Sequence, residues 1–218
     1  MTMDLILYAA YLLPLLFLIF FIGRINTQVI LFFVWGIICA VPVYFLEPVL
    51  FSAAASEMPA VLVPLTISPI IEEFFKALPL LCLALPAVRL HDRDIFLYAL
   101  ASGIGFSIIE TGLVVSPNLL LVLTHSFSTA LMHACTCGII GYGIVIAGHF
   151  DRRAYPALLL GFYTLAVTIH AFYNLMGSAY FGMAGICIDL VFPILLFFAL
   201  LLCYHTDLVS LFTPCPEK

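Results

Sequence analysis

Long apolar runs separated by short polar breaks dominate the pattern along this chain of 218 residues. A helix needs about 20 consecutive, mostly apolar residues to cross the hydrocarbon core of a bilayer. Seven runs approach or exceed this length, so each predicts a membrane-spanning helix. They cover residues 4–22, 29–51, 66–88, 95–115, 119–147, 156–176 and 183–204. The predicted fold is an all-α, polytopic membrane helix bundle of about seven transmembrane helices, with residues 1–218 forming a single transmembrane domain.

The segment 52–65 lies between the second and third runs and is too short to span a bilayer. It contains Pro59 and Pro64, which favour an irregular or re-entrant stretch buried against protein. Ser68 and Pro69 follow in the order of a helix N-cap and a first helical residue. The third helix is therefore predicted to start at this pair.

Composition supports the membrane assignment and excludes several classes of function. The chain is 65% hydrophobic and 9% charged, whereas a soluble domain carries about a quarter of charged residues. A net charge of -5 with seven Lys and Arg leaves no basic patch for nucleic acid. Seven cysteines, most of them inside apolar runs, predict packing rather than a disulfide framework.

The basic residues outside the predicted spans fall in alternate loops. They are Arg24, Arg89, Arg93, Arg152, Arg153 and Lys218. Because loops rich in Lys and Arg stay in the cytoplasm, this alternation predicts an N-terminus outside and a C-terminus in the cytoplasm.

Ionisable residues also occur inside the predicted spans, where each costs about 2.5–3.5 kcal/mol at the bilayer centre on insertion scales. One lysine cannot neutralise four acids, so some carboxyl groups must be protonated, hydrated, or bound to a cation or substrate. The polar residues in question are Glu72, Glu73, Lys76, Glu110, His125, His133, His170, Asn174 and Asp189.

The spacing of these residues predicts two polar helix faces. Glu72 and Lys76 are four residues apart, as are His170 and Asn174, so each pair projects from one face. Glu73 lies about 100° round the helix from Glu72. We expect at most one of the two acids to point at a common site while the other supports it.

Several of these polar residues also lie at a similar depth along their predicted spans. Glu72, Glu110, His170 and Asp189 all fall near the outer ends of their spans, roughly 6–9 Å below the boundary at a rise of 1.5 Å per residue. His133 falls deeper unless its helix is tilted. These positions predict a polar pocket open to the outer face.

Two classes of function use such a pocket. A transporter threads ionisable groups through the membrane and often has repeated halves, but this chain shows neither feature. A hydrolase needs a base for water, a proton carrier for the leaving amine and a donor for the oxyanion. Carboxylate, imidazole and asparagine amide groups supply those roles, so a hydrolase is favoured.

Four short motifs carry a resemblance to a known family. Residues 72–76 read E-E-F-F-K, residues 103–110 read G-I-G-F-S-I-I-E, residues 132–134 read M-H-A and residues 170–174 read H-A-F-Y-N. In this order they resemble the motifs of the PrsW intramembrane proteases, relatives of the CAAX prenyl endopeptidases. Lys76 and Glu110 fit the PrsW pattern better than the CAAX pattern. Thr111 stands where PrsW relatives often have Asn. The resemblance covers residues 68–176, the predicted protease core.

The resemblance implies an intramembrane endopeptidase that cleaves a membrane-anchored protein near the outer face of a bacterial or archaeal cytoplasmic membrane. An anti-sigma factor is one such substrate, and the process is regulated intramembrane proteolysis. The partners implied are this substrate and the lipid bilayer, with no nucleic acid.

We assign roles to the candidate residues on this basis. Glu72, or Glu73 if the helix is rotated, is the general base that activates water, and His170 positions the water and passes a proton to the leaving amine. Asn174 and His133 donate to the oxyanion. Glu110 holds a histidine in the required tautomer. Lys76 and Asp189 have supporting roles.

The expected enzyme is a glutamic protease without a metal cofactor. Two histidines and two or three glutamates are also a plausible zinc set, so a zinc-dependent metalloprotease is the alternative. The chain has no H-E-x-x-H segment of the kind that zinc proteases usually carry. A non-enzymatic transporter or scaffold protein with a polar pocket also remains open.

Overall fold

The computed structural model describes residues 3–22, 26–83, 91–113, 118–150, 153–179 and 183–206. All regular secondary structure in these ranges is α-helical. The helices are α1 (Met3–Ile22), α2 (Thr27–Ala54), α3 (Leu62–Leu83), α4 (Asp92–Leu113), α5 (Leu119–Gly148), α6 (Tyr155–Ala179) and α7 (Met183–His205).

Each helix overlaps one of the apolar runs in the sequence, which confirms the all-α prediction for the described residues. Five helices, α2 and α4 to α7, are long and apolar enough to cross a membrane. α3 carries three charged residues within its length, and the apolar stretch described in α1 is Ala10–Phe20. The helices thus have the composition of an integral membrane protein.

The helix α5 lies at the centre of the bundle, where it contacts α1, α3, α4, α6 and α7. Of its 30 residues 21 are buried, and from Ser126 to Ala147 nearly every residue is. Glycines permit the close packing around it and between α2 and α4. A Cβ atom on Gly103 of α4 would lie 2.1 Å from the carbonyl oxygen of His133, and one on Gly36 of α2 would lie 2.0 Å from that of Ser102. No larger residue fits at these positions without moving a helix.

Prolines inside two helices free a backbone carbonyl that another helix satisfies. Proline has no N–H to donate to the carbonyl four residues earlier. Pro14 thereby frees the carbonyl of Ala10, which accepts a hydrogen bond of 2.6 Å from the Ser126 hydroxyl of α5. Pro79 likewise frees the carbonyl of Phe75, which accepts one of 2.9 Å from the indole N–H of a tryptophan in α2. These side chains tie α1 to α5 and α3 to α2.

The start of α3 corrects one prediction. The helix begins at Leu62, so Ser68 and Pro69 lie inside it and do not form its N-terminus. The preceding segment is a turn over residues 55–61 with mostly exposed residues, so the expected buried re-entrant stretch is wrong. A Ser-Pro pair looks the same at a helix start and in its interior, and membrane helices tolerate interior proline because neighbouring groups satisfy the freed backbone.

Candidate active site

A cavity of about 480 Å³ opens at the end of the bundle where α2, α4 and α6 finish and α3, α5 and α7 begin. Apolar residues of α2, α3 and α4 form part of its wall. The polar residues that line it are Tyr44, Glu47, Ser68, Glu72, Glu110, His125, Tyr173, Asn174 and Asp189.

A fully buried ion pair lies within α3, next to the cavity. The Lys76 Nζ and Glu73 Oε1 atoms are 2.7 Å apart, and both side chains are 0% exposed. Lys76 also donates to the Nδ1 atom of His133 on α5, at 2.7 Å, and lies 4.8 Å from the ring centroid of Phe106. Removing water from a charge is costly, so the buried Lys76 ammonium depends on the Glu73 carboxylate, on His133 and on the Phe106 ring for its stabilisation.

His170 of α6 connects the two neighbouring acids of α3. Its Nδ1 atom lies 2.7 Å from Glu73 Oε1, and its Nε2 atom lies 3.8 Å from Glu72 Oε2. Because an ionised carboxylate can only accept, Nδ1 carries the proton and Nε2 presents a lone pair towards Glu72. Glu72 is 8% exposed, and its Oε2 atom has no hydrogen-bond partner among the described residues.

The second histidine, His133, has the opposite tautomer. The ammonium group of Lys76 has no lone pair, so Nδ1 of His133 accepts and its proton lies on Nε2. That Nε2–H donates to the carboxylate of Glu110 on α4. The His133 and His170 rings lie 5.0 Å apart between centroids. The site therefore offers an N–H group and a basic nitrogen side by side.

Six of the residues singled out in the sequence form one connected cluster. They are Glu72, Glu73, Lys76, Glu110, His133 and His170. Asn174 and Asp189 line the adjoining cavity instead. His133 reaches this cluster despite its greater expected depth.

Two features of this cluster were not specified by spacing along the chain. Lys76 pairs with Glu73, three residues before it, and not with Glu72. Glu72 is ten residues into α3 and His170 is nine residues from the end of α6, whereas Glu110 is three residues from the end of α4. At 1.5 Å per residue the first two distances are about 14–15 Å along the helices. The earlier start of α3 accounts for the distance of Glu72 from its helix end, and the depth of the site below the membrane boundary stays a prediction.

Comparison with known proteins identifies the family. A family model described as PrsW family intramembrane metalloprotease matches residues 26–203. The chain belongs to the PrsW family. Searches of curated proteins and of solved structures gave no match. Membership confirms the resemblance seen in the four motifs and makes this chain an intramembrane protease, a hydrolase of the membrane.

Sequence reasoning did not find every polar residue of this PrsW cavity. Glu47 of α2 lines the cavity, because α2 continues past Pro48 to Ala54. Tyr173 also lines it, where its hydroxyl lies 2.8 Å from that of Ser128. The position of Tyr173, immediately before Asn174, was the available signal.

The family description raises the question of a metal. Glu72, His133 and His170 each offer one ligand atom, and these atoms lie within 4.8 Å of one another. The unpartnered Glu72 oxygen and the Nε2 lone pair of His170 suit a cation, and three protein ligands beside a cavity are typical of a catalytic zinc site. The set fits a metal in number and chemistry, although His133 must first give up its Nε2 proton.

Proposed function

We propose that this chain is an endopeptidase that hydrolyses a peptide bond of a membrane-anchored protein with a water molecule activated by Glu72. The observation that best supports this proposal is the position of His170. Its Nδ1 atom lies 2.7 Å from Glu73, and its Nε2 atom faces Glu72 at 3.8 Å. One water molecule can contact both Glu72 Oε2 and His170 Nε2 across this separation. The base and the proton carrier are thus held together by one buried cluster.

The water attacks the scissile carbonyl carbon as its proton passes to Glu72. The carbonyl oxygen becomes an oxyanion, which accepts a hydrogen bond from the amide of Asn174. His170 takes the proton from Glu72 and delivers it to the leaving nitrogen as the C–N bond breaks. Glu73 stabilises the transient imidazolium through the Nδ1–H bond. The Nε2–H of His133 donates to Glu110, so His133 can join Asn174 as an oxyanion donor only after it leaves that carboxylate.

The closeness of three ligand atoms favours a second candidate, a metal-dependent form of the same hydrolysis. Glu72, His133 and His170 would hold the ion. A bound divalent cation supplies Lewis acidity, which polarises a carbonyl and makes a bound water more acidic. Under this candidate His133 ligates through Nε2 and no longer donates to Glu110, and Asn174 remains the oxyanion donor.

Metal analysis separates the two candidates. The purified full-length protein is assayed for bound zinc and for cleavage of a membrane-anchored substrate before and after treatment with a chelator. The metal-free mechanism expects unchanged cleavage and no stoichiometric zinc. The metal candidate expects about one zinc per chain, lost in His133→Ala and retained in His149→Ala, whose histidine pairs with Asp92 outside the site.

The substrate is proposed to be a protein anchored in the cytoplasmic membrane, such as an anti-sigma factor, cut near the outer face. Support comes from the cavity, which opens at one end of the bundle. Cells that carry Glu72→Gln in place of the wild-type chain should accumulate the uncut membrane protein. Proteomic comparison of the two membranes identifies that protein, and the absence of any accumulating species would contradict this proposal.

A further inference from the structure

Two acidic residues of the described cavity lining, Glu47 and Asp189, lie outside the buried cluster. Asp189 of α7 lines the cavity, and its Oδ1 atom is buried without a hydrogen-bond partner among the described residues. Among the residues that the structure describes, no Lys, Arg or His lies within ion-pairing distance of the Asp189 carboxylate. A buried carboxylate oxygen without a partner is costly, and helix packing has not supplied one.

The charged residues in the described lining of the cavity are acidic, and His125 is its basic residue. Glu47, Glu72, Glu110 and Asp189 all line it, and none of the described lining residues is Lys or Arg. The described lysine of the site, Lys76, is fully buried behind it and paired with Glu73. A cleft lined by one sign of charge concentrates ligands of the opposite sign.

Asp189 is only partly buried, so part of its side chain faces the cavity although Oδ1 is covered by protein. Gly177 of α6 also lines the cavity, and a Cβ atom on it would lie 3.3 Å from the Asp189 Oδ1 atom. A larger residue at this position would press against the carboxylate. The cavity, of about 480 Å³, is within the usual size range for small-ligand sites and accommodates a short peptide segment.

We propose that Asp189 is a substrate-binding residue that selects a cationic group on the peptide close to the scissile bond. This inference rests on the proposed function for the identity of the ligand as a peptide. A guanidinium or ammonium group donates charge-assisted hydrogen bonds to the Asp189 carboxylate. A neutral or acidic segment leaves this carboxylate without a cationic partner, so the site discriminates against it. The cation is either a Lys or Arg side chain or a free N-terminal ammonium.

Binding measured without turnover tests this assignment. The full-length Glu72→Gln protein is titrated with N-acetylated peptides of alanine and leucine that carry a single Arg, Gln or Glu, and with the Gln peptide bearing a free N-terminus. We expect the Arg peptide to bind about tenfold or more tightly than the Glu peptide. Asp189→Asn should remove this preference, Asp189→Lys should reverse it, and Asp189→Glu should retain it.

The control is Glu57→Gln, which removes the same charge from the exposed turn between α2 and α3 and should leave the preference unchanged. If the peptide with a free N-terminus binds more tightly than the Arg peptide, and this difference depends on Asp189, the selected cation is the terminal ammonium. A preference that survives both Asp189→Asn and Asp189→Lys, or equal binding of all peptides, overturns the inference. If wild-type protein cleaves none of these peptides and no membrane-anchored substrate while the Asp189-dependent binding persists, the proposed function fails and the binding site stands.

Discussion

At the residue scale, two adjacent acids occupy different environments although they differ by one position in the chain. Glu72 lines the cavity, whereas Glu73 is fully buried between Lys76 and His170. In the proposed mechanism the first acid activates water and the second holds Lys76 and His170 in position. Substitution of each acid should therefore change a different property.

We predict that Glu72→Gln abolishes catalysis and that Glu73→Gln also destabilises the fold. Glu72→Gln removes the base, an effect of about 10²–10⁴ in kcat, and leaves the ion pair intact. Glu73→Gln leaves the buried Lys76 charge uncompensated, at a cost of about 3–5 kcal/mol. Cleavage rates and thermal unfolding of the purified protein in detergent distinguish the two, with Glu57→Gln as the matched charge control. Near-normal turnover by Glu72→Gln would show that this acid is not the base.

The residue types of the site were predictable, but their pairing was not. A membrane span that carries two acids and a lysine has to bury a compensated cluster, and the sequence shows this directly. Residues three and four apart lie on the same helix face, so Lys76 could have paired with either acid. The choice depends on His133, which comes from α5 and attracts Lys76 to the side of Glu73. The partner of Lys76 was therefore determined by a contact between helices that are distant in sequence, and not by spacing within α3.

At the element scale, Pro14 of α1 and Pro79 of α3 act as sites of attachment between helices. Each of these two prolines leaves a carbonyl unsatisfied within its own helix, and a side chain from another helix donates to it. Sequence patterns indicated the helices, since their apolar runs are long. The true start of α3 was missed because the effect of an interior proline depends on the neighbouring helices.

The pair Pro14 and Ser126 gives a prediction about stability. Ser126→Ala leaves the Ala10 carbonyl buried without a donor, at a cost of about 1–3 kcal/mol. In a Pro14→Ala background residue 14 regains an N–H that can bond this carbonyl, so the same substitution should cost much less. Unfolding midpoints of the four proteins in a double-mutant cycle measure the difference. Equal costs in both backgrounds would contradict the proposed attachment.

Close packing of α4 against α5 gives another prediction at this scale. A Cβ atom on Gly103 would come within 2.1 Å of the backbone carbonyl oxygen of His133. Gly103→Ala should therefore push α5 away from α4, lower the unfolding temperature and displace His133 from Glu110, so that cleavage falls. Gly161 is the matched control, because a Cβ there has nothing within 4 Å. Similar stability and activity for both variants would exclude a tight α4–α5 contact in the membrane.

At the scale of the whole molecule, the orientation of the bundle in the membrane is predicted from charge. The helix α5 has 30 residues and a length of about 45 Å, which exceeds the hydrocarbon core of about 30 Å. Reporters fused at Asn118 and at Arg153 flank this helix and should be on opposite sides, with the reporter at Arg153 in the cytoplasm. Activity of an alkaline phosphatase fusion at one site and a fluorescent protein at the other measures this. Both reporters on one side would refute the seven-span topology.

The enclosure of α5 has a consequence for synthesis of the protein. The ribosome releases α5 before α6 and α7, yet Ser128 bonds to Tyr173 of α6, Gly143 packs on Phe162 of α6 and Gly138 packs on a leucine of α7. A chain halted after α5 would expose these polar and small-residue surfaces to lipid. We therefore expect an insertase or chaperone of the membrane to shield nascent chains at this stage. Products truncated after α5 should be degraded rapidly by membrane proteases of the cell.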